Sequence, residues 1–249
     1  MTIRCVSGVH VTAVADRSQT VMGRVLLLLE PFRERDGLTL TELAERAGFP
    51  RSSAHRMLSQ LVDVGWLRRN GTSYHLGPKM VELGSEARAH DRIYRAAAPL
   101  MYRLHKRTGM AVRLIVLEGD ELLVLEQIGG RWAAAALRTR PGQRRRAQGA
   151  VEGAALLAVR AGRGPVLREC VVPGGSGGQV RCLTVGFEAG RDEIAALSLS
   201  GPAGRKLDGA VRDLASAVDS LASELARGAG RDIASRRRCA PAVVGSVSD

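Results

Sequence analysis

Apolar residues recur at the spacing of an α-helix in successive segments of the first third of the chain. One stripe consists of Val21, Val25, Leu28, Leu29 and Phe32. A later stripe, at positions i, i+3, i+4, i+7 and i+8, consists of Ala54, Met57, Leu58, Leu61 and Val62. Such stripes predict helices that share one small core, and we expect Trp66 and Leu67, which follow, to close that core.

The residues between these stripes predict two short helices joined by a tight turn. Thr39 and Glu42 have the spacing of a capping box, which satisfies free amides at a helix N-terminus. Gly48 favours the left-handed conformation that ends a helix, and Pro50 suits the start of the next one. The outer face of that next helix is polar and carries Arg51, Ser52, Ser53, His55, Arg56, Ser59 and Gln60. This pattern is typical of a helix-turn-helix whose second helix enters the major groove of DNA.

A β-hairpin is predicted directly after this second helix, because Asn70-Gly71 separates two short alternating segments. A two-stranded ribbon in that position is the wing of a winged helix. Its basic residues Arg68, Arg69 and His75 lie where a wing contacts phosphates.

The candidate DNA-binding residues are Arg51, Ser52, Ser53, His55, Arg56, Ser59, Arg68 and Arg69. Arg51 or Arg56 suits a base contact, since a guanidinium pairs with O6 and N7 of guanine, whereas the serines suit phosphates. The alternative to DNA contact is that the polar face of this second helix is simply exposed to solvent. For Arg68 and Arg69, phosphate contact and simple solvation remain equally open.

The rest of the chain predicts a second, mixed domain with an antiparallel sheet of the type that holds small ligands on one face. The predicted helices are residues 79–90, 93–108, 150–161 and 210–225. The predicted strands are residues 111–117, 121–128, 132–137, 181–187 and 194–200, of which the last two form a hairpin.

Composition supports DNA binding only weakly. The chain has 249 residues, enough for two compact units, and a formal net charge of +12. A GC-rich coding sequence would also raise the arginine content. Moreover, residues 16–82 carry ten Arg or Lys against eight Asp or Glu, and the basic excess lies in residues 131–146 and the C-terminal tail. The DNA-binding hypothesis therefore rests on the helix-turn-helix motif and not on the net charge.

The sequence has no apolar run long enough for a membrane span and no secretory leader, so we expect a soluble, cytoplasmic protein. The cysteines lack the spacing of a metal site or a disulfide scaffold, and we expect no metal or cofactor. We also expect no enzyme activity. Residues 174–178 match the Gly-x-Ser-x-Gly nucleophile elbow, but that elbow needs a preceding strand, a following helix and a later histidine. All five histidines precede Ser176.

The order of these parts resembles the IclR (isocitrate lyase regulator) family of bacterial transcription factors. The similarity extends over about residues 18–225 and rests on Leu40–Leu58, Tyr74–Pro78, Leu117–Glu121 and Ala195–Pro202. It implies an N-terminal winged helix, a linker helix that dimerises, and a GAF-like effector domain. Family members repress or activate operons, and their dimers, often paired into tetramers, bind palindromic operators.

Two departures from the family pattern predict a reduced effector domain. The family has Gly-x-Arg-Leu-Pro and then Thr-Ala-x-Gly-Lys, whereas residues 142–154 have Arg145-Arg146 for Leu-Pro, Ala150 for Thr and Ala154 for Lys. Residues 158–181 are also Gly-rich and fewer than in the family, which predicts the loss of a helix and a strand.

The candidate effector-binding residues are Arg113, Gln127, Arg144 and Ser198. The run Arg144–Arg146 could hold an anionic effector or nucleic acid, and a solvated loop is the alternative. The run Arg236–Arg238 suits a tail that adds non-specific, salt-sensitive attraction to DNA.

We therefore predict an α/β (α+β) protein. Its parts are an N-terminal arm (1–17), a winged helix-turn-helix (18–78), a linker helix (79–93), a reduced GAF-like effector domain (94–226) and a disordered basic tail (227–249). The expected partners are double-stranded operator DNA, a second copy in a homodimer or tetramer, and a small organic effector. The function hypothesis is an effector-controlled repressor, and the alternative is an effector-independent regulator whose second domain only oligomerises.

Overall fold

The structure, a computed structural model, describes residues 20–175, 177–207 and 209–238. The predicted N-terminal arm therefore lies outside the described residues. The chain divides into two compact units, and the boundary in the sequence falls between Ala87 and Arg88. Within the described residues, no helix combines the length and apolar character that a membrane span requires.

Unit 1 is a three-helix core with a small sheet. Its helices are α1 (Val21–Leu29), α2 (Leu40–Ala47) and α3 (Arg51–Asp63), with a 3-10 turn at Glu30–Arg33. Its strands are β1 (Leu38–Thr39), β2 (Leu67–Asn70) and β3 (Ser73–Leu76), in the order β1-β3-β2. The predicted helices and hairpin are confirmed, and β1 is an addition that pairs with β3.

The local signals for the helix-turn-helix are confirmed at the level of hydrogen bonds. The Thr39 hydroxyl accepts from the Glu42 amide, and the Glu42 carboxylate accepts from the Thr39 amide at 2.8 Å. Gly48 ends α2 with a left-handed φ of 69°. Leu67 is buried in the core of unit 1 and Trp66 packs against that core, as predicted.

Unit 2 is a six-stranded antiparallel sheet covered by helices. Between the units runs α4 (Pro78–His90). The helices that follow are α5 (Arg92–Thr108), α6 (Arg131–Leu137), α7 (Val151–Arg160) and α8 (Ala210–Arg238). The strands are β4 (Ala111–Glu118), β5 (Glu121–Ile128), β6 (Arg144–Arg146), β7 (Val166–Pro173), β8 (Gln179–Gly190) and β9 (Glu193–Pro202), in the order β6-β5-β4-β9-β8-β7.

The two faces of this sheet have different coverings. Helices α5 and α8 pack on the face that carries Leu114, Val185 and Leu197. Helix α7 packs on the opposite face, through Leu156 against Ile115. The second face is the one that also carries polar side chains, and it holds the site described below.

Two predicted elements of unit 2 are wrong. Residues 132–137 were expected as a strand but lie in α6, because four consecutive alanines favour a helix and two of them, Ala133 and Ala136, are buried on one side. Residues 158–181 were expected to lack a strand, yet β7 pairs with β8 from Val166 to Pro173. No helix occurs between α7 and β8 among the described residues.

The C-terminal boundary also differs from the prediction. Helix α8 continues to Arg238 instead of ending near position 225, since the added residues include good helix formers and no proline. Residues 239–249 of the predicted tail lie outside the described residues. The Gly-rich segment 174–178 joins two strands, β7 and β8, so the strand-to-helix geometry of a nucleophile elbow does not occur there; Ser176 itself lies outside the described residues.

Candidate DNA-binding surface and a buried polar cluster

Helix α3 has one face in the core and the other in solvent. The inner face is formed by the buried residues Ala54, Leu58 and Leu61. The outer face is formed by Arg51, Ser52, His55 and Arg56, which are exposed, and by Ser53 and Ser59, which are half-buried. All six candidate residues of the helix are therefore accessible to a ligand outside unit 1.

The outer face of α3 borders a cleft shared with the wing. The cleft has a volume of about 310 Å³ and is lined by Thr39, Leu40, Thr41, Arg51, His55, Arg69, Thr72 and Tyr74. It thus brings Arg51 and His55 of α3 together with Arg69 of β2. The lining threonines and the wing residue Thr72 are additions that sequence reasoning missed, because hydroxyls of this kind carry no pattern of their own.

The wing arginines differ in how they are held. Arg69 donates from Nε to the Gly71 carbonyl at 2.9 Å, and its guanidinium lies 5.7 Å from the Tyr74 ring centroid. These contacts fix its side chain beside the cleft. Arg68 is exposed on the same strand, so both remain available for the predicted contact with phosphates.

His75 has a partner within unit 1. Its Nδ1 lies 2.9 Å from Oδ1 of Asp36, and this hydrogen bond holds the pKa of the Asp36 carboxyl below its usual range. One ring nitrogen of His75 is thus engaged within unit 1, and the contact of His75 with phosphates stays a prediction.

The second site is a buried polar cluster on the α7 face of the sheet in unit 2. We define the buried cluster as Arg113 of β4, Glu152 of α7, Cys182 and Thr184 of β8, and Ser198 and Ser200 of β9. The register of the strands places Arg113 directly opposite Ser198. Since both residues were candidates for effector binding, the structure brings two of the four candidates together.

An ion pair forms the centre of the buried cluster. Nη2 of Arg113 lies 2.6 Å from Oε1 of Glu152, and the two side chains are only 2% and 5% exposed. Nη2 also donates to the hydroxyls of Ser200 at 3.2 Å and Ser198 at 3.4 Å. The second carboxylate oxygen of Glu152 accepts from Nη2 of Arg145 at 2.6 Å. The cluster is therefore a carboxylate held between two guanidinium groups, one of which, that of Arg113, also donates to two serine hydroxyls.

Glu152 was missed as a functional residue by sequence reasoning. The available signal was that it is the only acid in α7, whose other residues apart from Arg160 are apolar. A carboxylate on an apolar helix is buried only with a partner, but the sequence alone does not say that this partner is Arg113, which is 39 positions earlier.

The other two effector candidates have different hydrogen-bond or ion-pair partners. Gln127 also lies directly opposite Arg113, on β5, but its Oε1 accepts from the Thr139 hydroxyl at 2.6 Å. Arg144 pairs with Glu118 and, at 3.7 Å, with Glu121, so it is outside the buried cluster. The alternative of a solvated loop for residues 144–146 is wrong as well, because they form β6 along the edge of β5.

Cys170 lies directly opposite Cys182 on β7 and β8. Burial raises the pKa of the Cys170 thiol to about 11, and the nearby Cys182 and Glu152 add to the shift because a second negative charge is unfavourable there.

We expect Cys170 to react slowly with alkylating reagents at neutral pH. Because only the thiolate attacks, raising the pKa from 9.0 to about 11 lowers the reactive fraction about a hundredfold. Mass spectrometry of the Cys170 peptide after timed iodoacetamide treatment measures the rate, with a free cysteine derivative as the reference. The rate should still be rising above pH 9, and a profile that levels off with the reference would contradict the expectation.

Comparison with known proteins bears on both units. The model of the IclR helix-turn-helix domain matches residues 22–71, which extend from α1 into the wing. The HTH-type transcriptional regulator KipR of Bacillus subtilis (strain 168) is 34% identical over 116 residues, 46% of each chain. The transcriptional repressor IclR of Escherichia coli (strain K12) is 30% identical over 122 residues, 47% of this chain and 44% of that protein. These matches thus span about half the length of the curated relatives.

The fold as a whole has counterparts among solved structures. An IclR homolog from Microbacterium hydrocarbonoxydans, crystallised with 4-hydroxybenzoate, superposes with a TM-score of 0.67 at 25% identity, over 84% of this chain and 100% of that one. The IclR protein of Thermotoga maritima shares the fold with a TM-score of 0.55 at 18% identity, over 88% of this chain and 99% of that one. The matched model and the curated relatives show that this chain contains an IclR-type helix-turn-helix domain, and its overall fold is that of solved IclR-family structures.

Proposed function

We propose that this protein is a regulator of transcription that binds double-stranded operator DNA in a sequence-specific manner. The observation that carries the proposal is the polar outer face of α3, which shares one cleft with the wing. Helix α3 has 13 residues, and an α-helix with its side chains is about 10–12 Å across. Its diameter therefore fits the major groove, which is about 12 Å wide.

The residue types suit two kinds of contact with DNA, to bases and to phosphates. Arg51 and Arg56 are the base readers of the proposal, since a guanidinium forms paired hydrogen bonds with guanine. Ser52, Ser53 and Ser59 suit phosphates at the groove edges. Arg68 and Arg69 of the wing add phosphate contacts that strengthen binding to every sequence alike.

We further propose that the protein acts as a homodimer, or a pair of dimers, and represses transcription in the cytoplasm of a bacterium. Helix α4, all of whose residues are described, buries none of them within this chain. Its apolar residues Val81 and Leu83 are 70% and 46% exposed, which suits contact with a second copy. Repression is the role that the name of the Escherichia coli relative states.

Effector control is the finer part of the proposal. The Microbacterium homolog was crystallised with an aromatic acid, and the buried cluster with Arg113 and Ser198 is the place in unit 2 whose chemistry suits a carboxylate. The second candidate function, regulation without an effector, is favoured by one observation: a carboxylate of the chain itself, from Glu152, already contacts Arg113.

A gel-shift experiment on the DNA upstream of the protein's own gene tests the proposal. We expect the full chain to form a complex that resists excess non-specific DNA and weakens as the salt concentration rises. Equal competition by specific and non-specific DNA would contradict sequence-specific binding. A thermal-shift screen of small organic acids with the same protein then separates the two candidate functions, because only an effector-controlled regulator is stabilised.

A further inference from the structure

The ion pair in the buried cluster has the composition of an occupied ligand site. A free carboxylic acid would need a guanidinium that neutralises it and donates hydrogen bonds to it. Arg113 supplies this guanidinium, and the hydroxyls of Ser198 and Ser200, which accept from its Nη2 at 3.4 and 3.2 Å, hold it in place. The carboxylate that this arrangement requires is present, and it is the end of the Glu152 side chain.

The contacts of the Glu152 side chain are those of a bound ligand more than those of a packed core residue. It projects from the first turn of α7 and bridges Arg113 on one side and Arg145 on the other. The two guanidinium groups also retain unused donors, since Nε of Arg113 and Nε of Arg145 are buried without a hydrogen-bond partner among the described residues. An oxygen ligand would find hydrogen bonds there that the chain itself does not make.

We propose that Glu152 is a built-in ligand: its carboxylate occupies a carboxylate-binding site formed by Arg113 and Arg145, and thereby excludes free small carboxylic acids from unit 2. The site recognises a monocarboxylate, because one carboxylate already contacts both guanidinium groups. Where it concerns regulation, this inference rests on the second candidate of the proposed function, a regulator without an effector, and the site itself is independent of DNA binding.

An ordinary structural ion pair would give a different result when its acid is removed. A structural pair leaves a destabilised protein that small acids do not repair. A ligand site leaves an empty place that a free acid can fill. Replacing Glu152 by alanine removes the atoms of an acetate ion, so acetate is the matching probe.

The experiment measures thermal unfolding of the full chain by calorimetry in sodium acetate and in sodium chloride of equal ionic strength. We expect Glu152→Ala to lower the Tm of unit 2 by roughly 6–20 °C in chloride, since it leaves a buried guanidinium unpaired. Acetate at about a hundredfold excess over its Kd should recover roughly 5–10 °C, with saturation. The natural protein should show no acetate-specific change, because Glu152 fills the site.

Three controls make the result specific. Acetamide, a neutral molecule of the same shape, should not stabilise Glu152→Ala. Glu152→Ser repeats the measurement with a polar replacement in case the alanine variant folds poorly. The double variant Arg113→Met with Glu152→Leu lacks the guanidinium of Arg113, and its leucine fills the place of the carboxylate. It should therefore not respond to acetate.

The inference is overturned by any of three results: acetate and acetamide act alike, neither single variant is stabilised or recovered by acetate, or the natural protein responds as strongly as the variants. Gel shifts of the same samples provide a separate readout. A protein that fails to bind operator DNA but shows the acetate response disproves the proposed function alone, whereas operator binding without an acetate response disproves the built-in ligand alone.

Discussion

Replacing Arg51 and Arg56 together by alanine is expected to weaken specific operator binding by at least about thirtyfold. Each paired contact between an arginine and a guanine contributes about 1–3 kcal/mol of discrimination, so two contacts correspond to roughly 2–6 kcal/mol. Both side chains are exposed on the outer face of α3 and neither supports the core of unit 1. We therefore expect the Tm of the variant to remain close to that of the natural protein while its affinity falls.

The measurement is a titration of labelled operator DNA by fluorescence anisotropy, repeated with scrambled DNA. A control of equal charge is Arg33→Ala with Arg163→Ala, since both arginines are exposed and lie outside the cleft lining. That control should lose far less specific affinity. Unchanged sequence preference in the Arg51 and Arg56 variant would exclude these two residues as base readers.

The wing should behave differently from α3 in the same assay. Phosphate contacts by Arg68 and Arg69 carry no sequence information, so their loss would weaken binding to specific and scrambled DNA by the same factor and reduce the salt dependence. The comparison of the two pairs of arginines thus assigns base reading and phosphate contact to separate elements of unit 1.

Unit 1 could be predicted from the sequence because its determinants are local. The capping box needs only Thr39 and Glu42, the end of α2 needs only Gly48, and the wing needs only Asn70-Gly71. Each signal lies within a few residues of the structure that it specifies. The cleft could be inferred only in part, since it also depends on how β3 places Tyr74 beside α3.

Unit 2 was predicted less well because its determinants are distant in the sequence. Strand β7 exists through its pairing with β8, and its own residues are mostly exposed, so it lacks the apolar alternation of a half-buried strand. The buried cluster likewise forms when β4, β9 and α7 meet. The separation of Arg113 and Glu152 along the chain hides their contact from any motif.

The exposed side chains of unit 1 and the buried ion pair of unit 2 also differ in how easily they can be substituted. In the proposed function, DNA is read by exposed side chains of α3, which can be replaced without repacking a core. The proposed ligand site instead contains a buried charge whose partner is supplied by the chain. An unpaired buried charge is strongly destabilising. A single substitution at Glu152 can therefore make unit 2 bind a free carboxylic acid only if that acid pairs with the guanidinium of Arg113.

Replacing Arg113 by methionine is accordingly expected to lower the free energy of unfolding of unit 2 by about 3–5 kcal/mol, the usual cost of breaking a buried ion pair from one side. Glu152 would keep only Arg145, whose side chain is 36% exposed. Urea unfolding followed by the fluorescence of Trp132 measures the change. The variants are made in a Trp66→Phe background, because the chain has two tryptophans and Trp66 belongs to unit 1.

The second substitution Glu152→Leu decides why stability is lost. If the loss comes from an unpaired carboxylate, the double variant Arg113→Met with Glu152→Leu should regain most of it, since apolar residues of similar volume often replace a buried ion pair without cost. The matched surface control, Arg144→Met, breaks pairs with Glu118 and Glu121 that are half exposed and should cost less than about 1 kcal/mol. A double variant as unstable as Arg113→Met would mean that the hydroxyls of Ser198 and Ser200 depend on the guanidinium as a donor, and that the charge of Glu152 is not the cause.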